Sequence, residues 1–339
     1  MGEKTGIAWT DATFNPWWGC AVVSPGCEHC YAETWSTRMG HDLWGPKGAR
    51  RMFGDKHWAE PERWNRAAAK AGERRRVFCG SMCDWAEDRP DLVEPRARLF
   101  ALIERTPWLD WLLLTKRIDS AARLLPWAPR EIPADRPRPA TWAGWGLPWA
   151  NVWVGTTVED GRRARERIPV LEGIPAAVRF LSMEPLLEEV DLDPYLWRPC
   201  TTCDGKALVG DDGEACACAR YGRRPGFQRR GPFDWVIAGC ESGDDKRPAR
   251  ASWFQRLRDQ AKRAGVAYFL KQATLERGPA MYPGTDAARP ELVTIGAGSQ
   301  VKRDQVVELP YLRGADGEPH QHAEFPTPRT EGVRRMLVA

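Results

Sequence analysis

Ten cysteines stand in this chain of 339 residues, and seven of them fall in two clusters. Cys20, Cys27 and Cys30 form C-x6-C-x2-C. Three thiolates this close converge on one ion or one cluster, whereas three unpaired thiols on a loop would be an oxidation liability. Thiolates select zinc or iron–sulfur clusters. A structural zinc wants four ligands, and His29, between two of the cysteines, would point away from a site that both neighbours hold. A cubane held by three cysteines leaves one iron open to a substrate or cofactor. On spacing alone an iron–sulfur cluster leads, with zinc and an unmetallated role both open.

Cys200, Cys203, Cys216 and Cys218 form C-x2-C-x12-C-x-C. Two close pairs joined by a short polar loop read as a zinc knuckle. Asp204-Gly205 supplies the tight turn after the first pair. The segment has too little apolar content to fold without a staple. Structural zinc is the expectation here, with an auxiliary iron–sulfur cluster or free thiols as alternatives. Arg220, Arg223, Arg224, Arg229 and Arg230 flank it, which suggests a nucleic-acid or partner-docking arm. The last three cysteines fall at the ends of apolar runs. Cys79 reads as a small buried residue; Cys83 and Cys240 read as that or as extra redox thiols.

Six apolar runs must position these groups: Val77-Phe78-Cys79, Trp111 to Leu114, Val152-Trp153-Val154, Arg179-Phe180-Leu181, Trp235 to Ala238 and Ala267 to Leu270. They are continuous rather than alternating, as buried parallel strands are. A seventh strand is expected before Cys20. Amphipathic stretches lie between them at Asp91–Arg105, Arg162–Leu171 and Trp253–Ala264, the last stopped by Gly265. The alternation predicts an α/β fold, a full or partial parallel (β/α) barrel. Each run ends in a polar burst, where barrels keep their chemistry. The expected organisation is a barrel over residues 1–275, a Cys-rich insert at 198–231 and a C-terminal extension at 276–339, where His320 and His322 read as surface residues. Met39 to Arg66 reads as a lid or helical excursion, and Pro126 to Trp149 as an irregular loop.

Composition excludes several classes. Mean hydropathy is −0.53, and no apolar run approaches the ~20 residues of a membrane span. The first residues lack the apolar core of a signal peptide. A cytoplasmic protein with reduced thiols and no membrane contact is expected. The net charge of +4 is below that of a dedicated nucleic-acid binder. Forty of the fifty basic residues are arginine, which a GC-rich genome explains as well as phosphate contacts do. Most of the eighteen tryptophans should fill the core or shield a cluster, among them Trp17, Trp18, Trp142, Trp145 and Trp149. A zinc-dependent hydrolase is a weak rival, because only five histidines are present and none falls at a strand end.

The stretches Ile7 to Pro16, Gly19-Cys20, Ser24-Pro25-Gly26-Cys27 and Cys30-Tyr31-Ala32-Glu33 resemble the phage-associated three-Cys-motif family, whose members are regarded as radical SAM-like. The resemblance continues through Phe78 to Asp84, Leu114 to Arg117, Asn151 to Asp160, Arg179 to Asp191, Asp234 to Gly243 and Phe269 to Gln272. It implies a [4Fe-4S] cluster on Cys20, Cys27 and Cys30, with S-adenosylmethionine (SAM) on the open iron, cleaved reductively to a 5′-deoxyadenosyl radical. The first gap of six residues departs from the usual C-x3-C-x2-C. The resemblance further implies that strand-end groups hold SAM: Ser81, Asp84, Thr115, Thr156, Thr157, Glu159, Ser182, Ser242 and Lys271. Glu184, Lys116 and Glu241 are the catalytic candidates. Glu184 precedes a proline and so stands outside any helix. The expected partners are an external electron donor, a protein encoded nearby and a substrate that is a nucleic acid, a nucleotide or a peptide, with the phage setting leaning towards nucleic acid. The alternative is a metal-binding docking protein without catalysis.

Overall fold

The structure is a computed structural model that describes residues 5–128, 148–209, 214–220, 224–229, 231–241, 246–276 and 292–296. Its centre is one curled sheet. Seven parallel strands follow chain order across it: β1 (Ala12–Phe14), β2 (Arg75–Cys79), β3 (Leu109–Thr115), β4 (Val152–Thr157), β5 (Val178–Met183), β6 (Trp235–Gly239) and β7 (Ala267–Glu276). An eighth, β8 (Leu292–Gly296), pairs antiparallel with β7 at the edge. The seven parallel strands form a half-barrel. All six expected runs are strands, and the seventh is β1.

The strands read as continuous apolar runs because both faces are covered. Trp9, Phe78, Trp153, Phe180, Trp235 and Phe269 pack together as one cluster. Phe14, Val77, Trp111, Val154, Leu181 and Val236 belong to a larger one with the helices' apolar stripes. Residues one apart thus join different clusters, as the two-residue period of a strand requires. At Gly155 a Cβ would stand 2.3 Å from the Phe180 ring, so the aromatic packing demands glycine there.

Helices Tyr31–Arg38, Glu60–Ala71, Val93–Arg105, Ile118–Leu124, Gly161–Gly173 and Ala251–Ala264 make crossovers between successive parallel strands. Gly265 stops the last one at φ +63°, a left-handed conformation that glycine tolerates best. The segment Met39–Arg66 contains a two-residue strand paired with Trp17–Trp18 and helical turns, so it is a helical excursion packed on the barrel. Arg50 ties it down. Its side chain is fully buried and donates to both Glu87 oxygens at 2.9 and 2.7 Å and to the carbonyls of Leu43, Gly45 and Gly48.

Trp17, Trp64, Trp85, Trp111 and Trp235 are among the largest fully buried side chains, in line with a core role for tryptophan. Trp142, Trp145, His320 and His322 lie outside the described residues, as does most of the loop Pro126–Trp149. Among the described residues no helix is long and apolar enough to cross a membrane.

Candidate functional site

The polar ends of the parallel strands converge on one cavity of ≈ 1130 Å³, solvent at its mouth included. Of the residues singled out in the sequence, Cys20, Cys27, Cys30, Ser81, Asp84, Thr115, Lys116, Thr157, Ser182, Glu184, Glu241 and Lys271 line it, and so do Cys83 and Cys240. Thr156 and Glu159 do not line it. Thr156 is fully buried and donates to the Thr115 carbonyl. Thr156 and Thr157 are neighbours on one strand, so their side chains leave opposite faces and only one can face the cavity. Ser242 lies outside the described residues.

The three-cysteine segment follows β1. Cys20 lies two residues after the short strand Trp17–Trp18, Pro25–Cys27 is a turn of 3-10 helix, and Cys30 is the N-cap of Tyr31–Arg38. A helix N-terminus favours a thiolate through its exposed N–H groups. All ten cysteines are free thiols. Burial, reinforced by the Asp84 carboxylate, pushes the Cys20 thiol up to about 11, against the pull of Arg117. Burial also raises Cys30, while the N–H groups of Glu33 and Ala32 and the Lys116 ammonium work the other way. These two thiols are thus held in the neutral form, and a metal bound there would have to displace their protons.

Arg117 is the residue that sequence reading missed at this end. Its Nη1 donates to Cys20 Sγ at 3.5 Å and to Asp84 at 3.0 Å, and its Nη2 donates to the Ala21 carbonyl at 2.8 Å. Burial works against its charge, but Asp84 and Cys20 outweigh burial and raise its pKa above the ordinary arginine value. Asp84 is an organiser. It accepts from the Thr115 hydroxyl at 2.6 Å, the N–H groups of Ala86 and Lys116 at 3.0 Å, and Arg117. Lys116 makes no ion pair among the described residues.

On the other side, Lys271 donates to Glu184, whose peptide bond to Pro185 is cis. Glu241 accepts from the Arg247 side chain and from its backbone N–H at 2.8 Å, and its Oε2 lies 3.1 Å from His29 Nδ1. Burial works against the Glu241 carboxylate, yet the bonds from Arg247 hold its pKa below the ordinary value. Arg247 also reaches Glu28 and the Pro25 carbonyl at 2.8 Å, so it clamps the cysteine loop to the end of β6. His29 turns to the cavity wall, which the sequence did not foresee.

Glu159 props the same loop from behind. Its side chain is fully buried and pairs with Arg167 at 2.8 Å. A Cβ on Gly26 would stand 3.3 Å from the Glu159 carboxylate and from Pro185, which explains glycine beside Cys27. Asn15 organises the facing loop, donating to Ser81 Oγ at 2.9 Å and accepting from the Met82 N–H at 2.7 Å. Tyr31 donates to the Ser81 carbonyl at 2.8 Å.

The four cysteines of the insert form a separate cluster. Their sulfur atoms all lie within 4.8 Å of one another, within reach of one metal ion. The N–H of Thr202, ahead of other contacts, holds the Cys200 thiol below its ordinary range. Arg224, one of the flanking arginines, stacks over Phe227 and Trp197 and pairs with Asp193, so it is spent inside the protein. Arg223 and Arg230 and the side chains of Arg220 and Arg229 lie outside the described residues.

No curated protein and no solved structure matches the chain. One family does, described as a protein of unknown function, DUF5131, and the match spans residues 4–287. That span contains both cysteine clusters and every motif on which the resemblance rests.

Proposed function

We propose, for a chain that belongs to the DUF5131 family of proteins of unknown function, a radical SAM-type iron–sulfur enzyme. The observation that carries the reading is that Cys20, Cys27 and Cys30 line one cavity with the strand-end polar groups at the C-terminal end of a half-barrel, without forming among the described residues a set of sulfurs all within 4.8 Å. Parallel barrels keep their catalytic groups at that end. Three free thiols there suit a [4Fe-4S] cluster with one open iron, because the metal takes the protons that burial keeps on Cys20 and Cys30. When bound with SAM, such a cluster supplies one electron, taken from an external donor, for reductive cleavage.

The chain's own residues do the rest by charge and position. Arg117 would offset the negative charge that Cys20 takes on when a metal displaces its proton. Lys116, paired with no carboxylate among the described residues, suits the carboxylate of a ligand. Glu184 with Lys271, and Glu241 with Arg247 and His29, present carboxylates held in place by cations, suited to an ammonium or to ribose hydroxyls. Asp84 lines the cavity and organises the Thr115–Arg117 turn. The substrate we expect is nucleic acid.

Anaerobic reconstitution tests this reading. The expected outcome is about four irons and four sulfides at the main site, and 5′-deoxyadenosine released from SAM with a reductant. Cys27→Ala should abolish both. Zinc alone in anaerobically purified protein would sink the proposal. A filled cluster without SAM turnover would favour a metal-binding docking protein.

A further inference from the structure

The chain between β5 and β6 departs from the rest of the barrel. These two strands are hydrogen-bonded parallel neighbours, and such neighbours need a crossover packed on the sheet, usually a helix. Each other pair of successive parallel strands is joined through a helix of seven residues or more. Here the described helices, Asp193–Leu196 and Ala217–Arg220, have four residues each. The remainder is two short hairpins, Trp197–Pro199 with Phe227–Arg229 and Leu208–Val209 with Glu214–Ala215.

Among the described residues, Trp197 and Phe227 tie the outer hairpin to the main core, but no comparable apolar cluster holds the inner one. The insert's own buried cluster consists of Cys200, Cys203 and Cys216, with Val209 and Cys218 packed against it. A core of four thiols and one valine is far too small to offset the ordering of some thirty residues. The geometry of the thiols supplies the missing term. A tetrahedral zinc with Zn–S of about 2.3 Å spaces its sulfurs about 3.8 Å apart. Cys200 and Cys216 are 3.9 Å apart, and Cys203 and Cys218 are 3.5 Å apart. Both distances are well beyond the bond length of a disulfide, about 2.05 Å. In a cubane each cysteine binds a different iron, which spreads the sulfurs wider than one ion does. Four thiolates on Zn²⁺ carry two net negative charges, and donors are in place for them. Gln228 Nε2 donates to Cys200 Sγ at 3.3 Å, and the N–H groups of Thr202 and Cys203 turn to Cys200 while that of Gly226 turns to Cys218. Asp204 and Ala207 adopt φ of +44° and +65°, the strained backbone of a tight knuckle turn.

We propose that Cys200, Cys203, Cys216 and Cys218 bind one structural zinc, and that this metal takes the place of the crossover helix between β5 and β6. The knuckle is anchored on either side by the barrel itself. Trp197 and Phe233 are buried in the main core, and Arg224 stacks on Trp197 and Phe227. The strands it joins deliver Glu184 and Glu241 to the cavity, so the zinc orders the chain that separates two cavity carboxylates without touching the cavity.

The test uses the full chain and leaves the barrel-mouth cysteines out of the question. Metal analysis of Cys27→Ala protein should find about one zinc per chain. Cys203→Ser with Cys216→Ser should lose it, and limited proteolysis mapped by mass should then cut within residues 198–231 about tenfold faster or more, since cleavage tracks local opening. Should that variant fail to accumulate, a strong chelator applied to the Cys27→Ala chain must give the same cuts, and added Co²⁺ must give the visible absorption of a tetrahedral thiolate site. Iron and sulfide retained in Cys27→Ala at these four cysteines would overturn the assignment. So would a mass lower by two disulfides, or cleavage unchanged after the zinc has gone.

Discussion

The barrel mouth and the insert both gather cysteines, but in opposite arrangements. In the insert four sulfurs stand within reach of one another, closed off by their own hairpins. At the mouth three cysteines line a wide cavity beside Arg117, Lys116 and two carboxylates held by cations. A closed set of four ligands leaves a metal nothing further to bind, which is what a structural ion requires. An open set of three beside fixed charges leaves a position for a ligand and groups to orient it. On the proposed reading the same side chain serves two ends, and the difference lies in the number of thiols and in what else shares their space.

The largest expected effect is a double dissociation. Cys27→Ala should take iron from about four per chain to none while zinc stays. Cys203→Ser should do the reverse: zinc falls and reconstituted iron at the mouth persists. Metal analysis of both variants from one anaerobic preparation reads the result, and joint loss of both metals in either variant would dissolve the distinction between the two regions.

Next comes the support of the mouth. Arg50→Ala leaves Glu87 buried without its bidentate partner, and losing one partner of a buried pair costs about 3–5 kcal/mol. Denaturant unfolding should show a loss of that size, with the insert's zinc still bound. Gly26→Ala should cost less, about 1–3 kcal/mol as an overpacking change, because the new methyl meets Glu159 and Pro185 at 3.3 Å. Its stronger effect should be on iron loading, since Gly26 adjoins Cys27. Unchanged loading would mean that the loop yields freely and that Glu159 is no prop.

These residues also show how far the sequence could be read. The strands were legible because burial on both faces writes a continuous apolar run, as in Val152 to Val154. The cysteine clusters were legible because their ligands are close in sequence. Arg117 and Arg247 were not. Forty arginines give no contrast, and the contact of Arg247 with the Pro25 carbonyl spans 222 positions. For Arg117 a signal did exist, since it directly follows Thr115-Lys116 at a strand end. Alternation along β4 would likewise have separated Thr157, which lines the cavity, from Thr156, which does not. Asp84 stands out in the sequence only as a strand-end carboxylate; its bonds to Thr115, Lys116 and Arg117 cross to another loop, which spacing does not encode.

The smallest effect concerns the clamp between the two sides of the mouth. Glu241 has its pKa lowered by Arg247 against the cost of burial. A carboxylate with a lowered folded pKa contributes stability above its unfolded value, near the ordinary 4.5, and loses it as pH falls through the lower folded value. Arg247 is partly exposed, with a side-chain exposure of 31%, so solvent screens the pair and its contribution is about 1 kcal/mol or less. Glu241→Gln should therefore melt slightly below the parent at pH 7, and the two curves should converge as the pH drops below 4.5. The insert bears on the same comparison from its own side, because removing its zinc should leave that pH dependence intact if the metal orders the crossover and the Arg247 clamp independently orders the mouth. A gap between the two proteins that stays constant from pH 7 into acid would show that Glu241 acts through shape, and that its charge is not what joins the cysteine loop to β6.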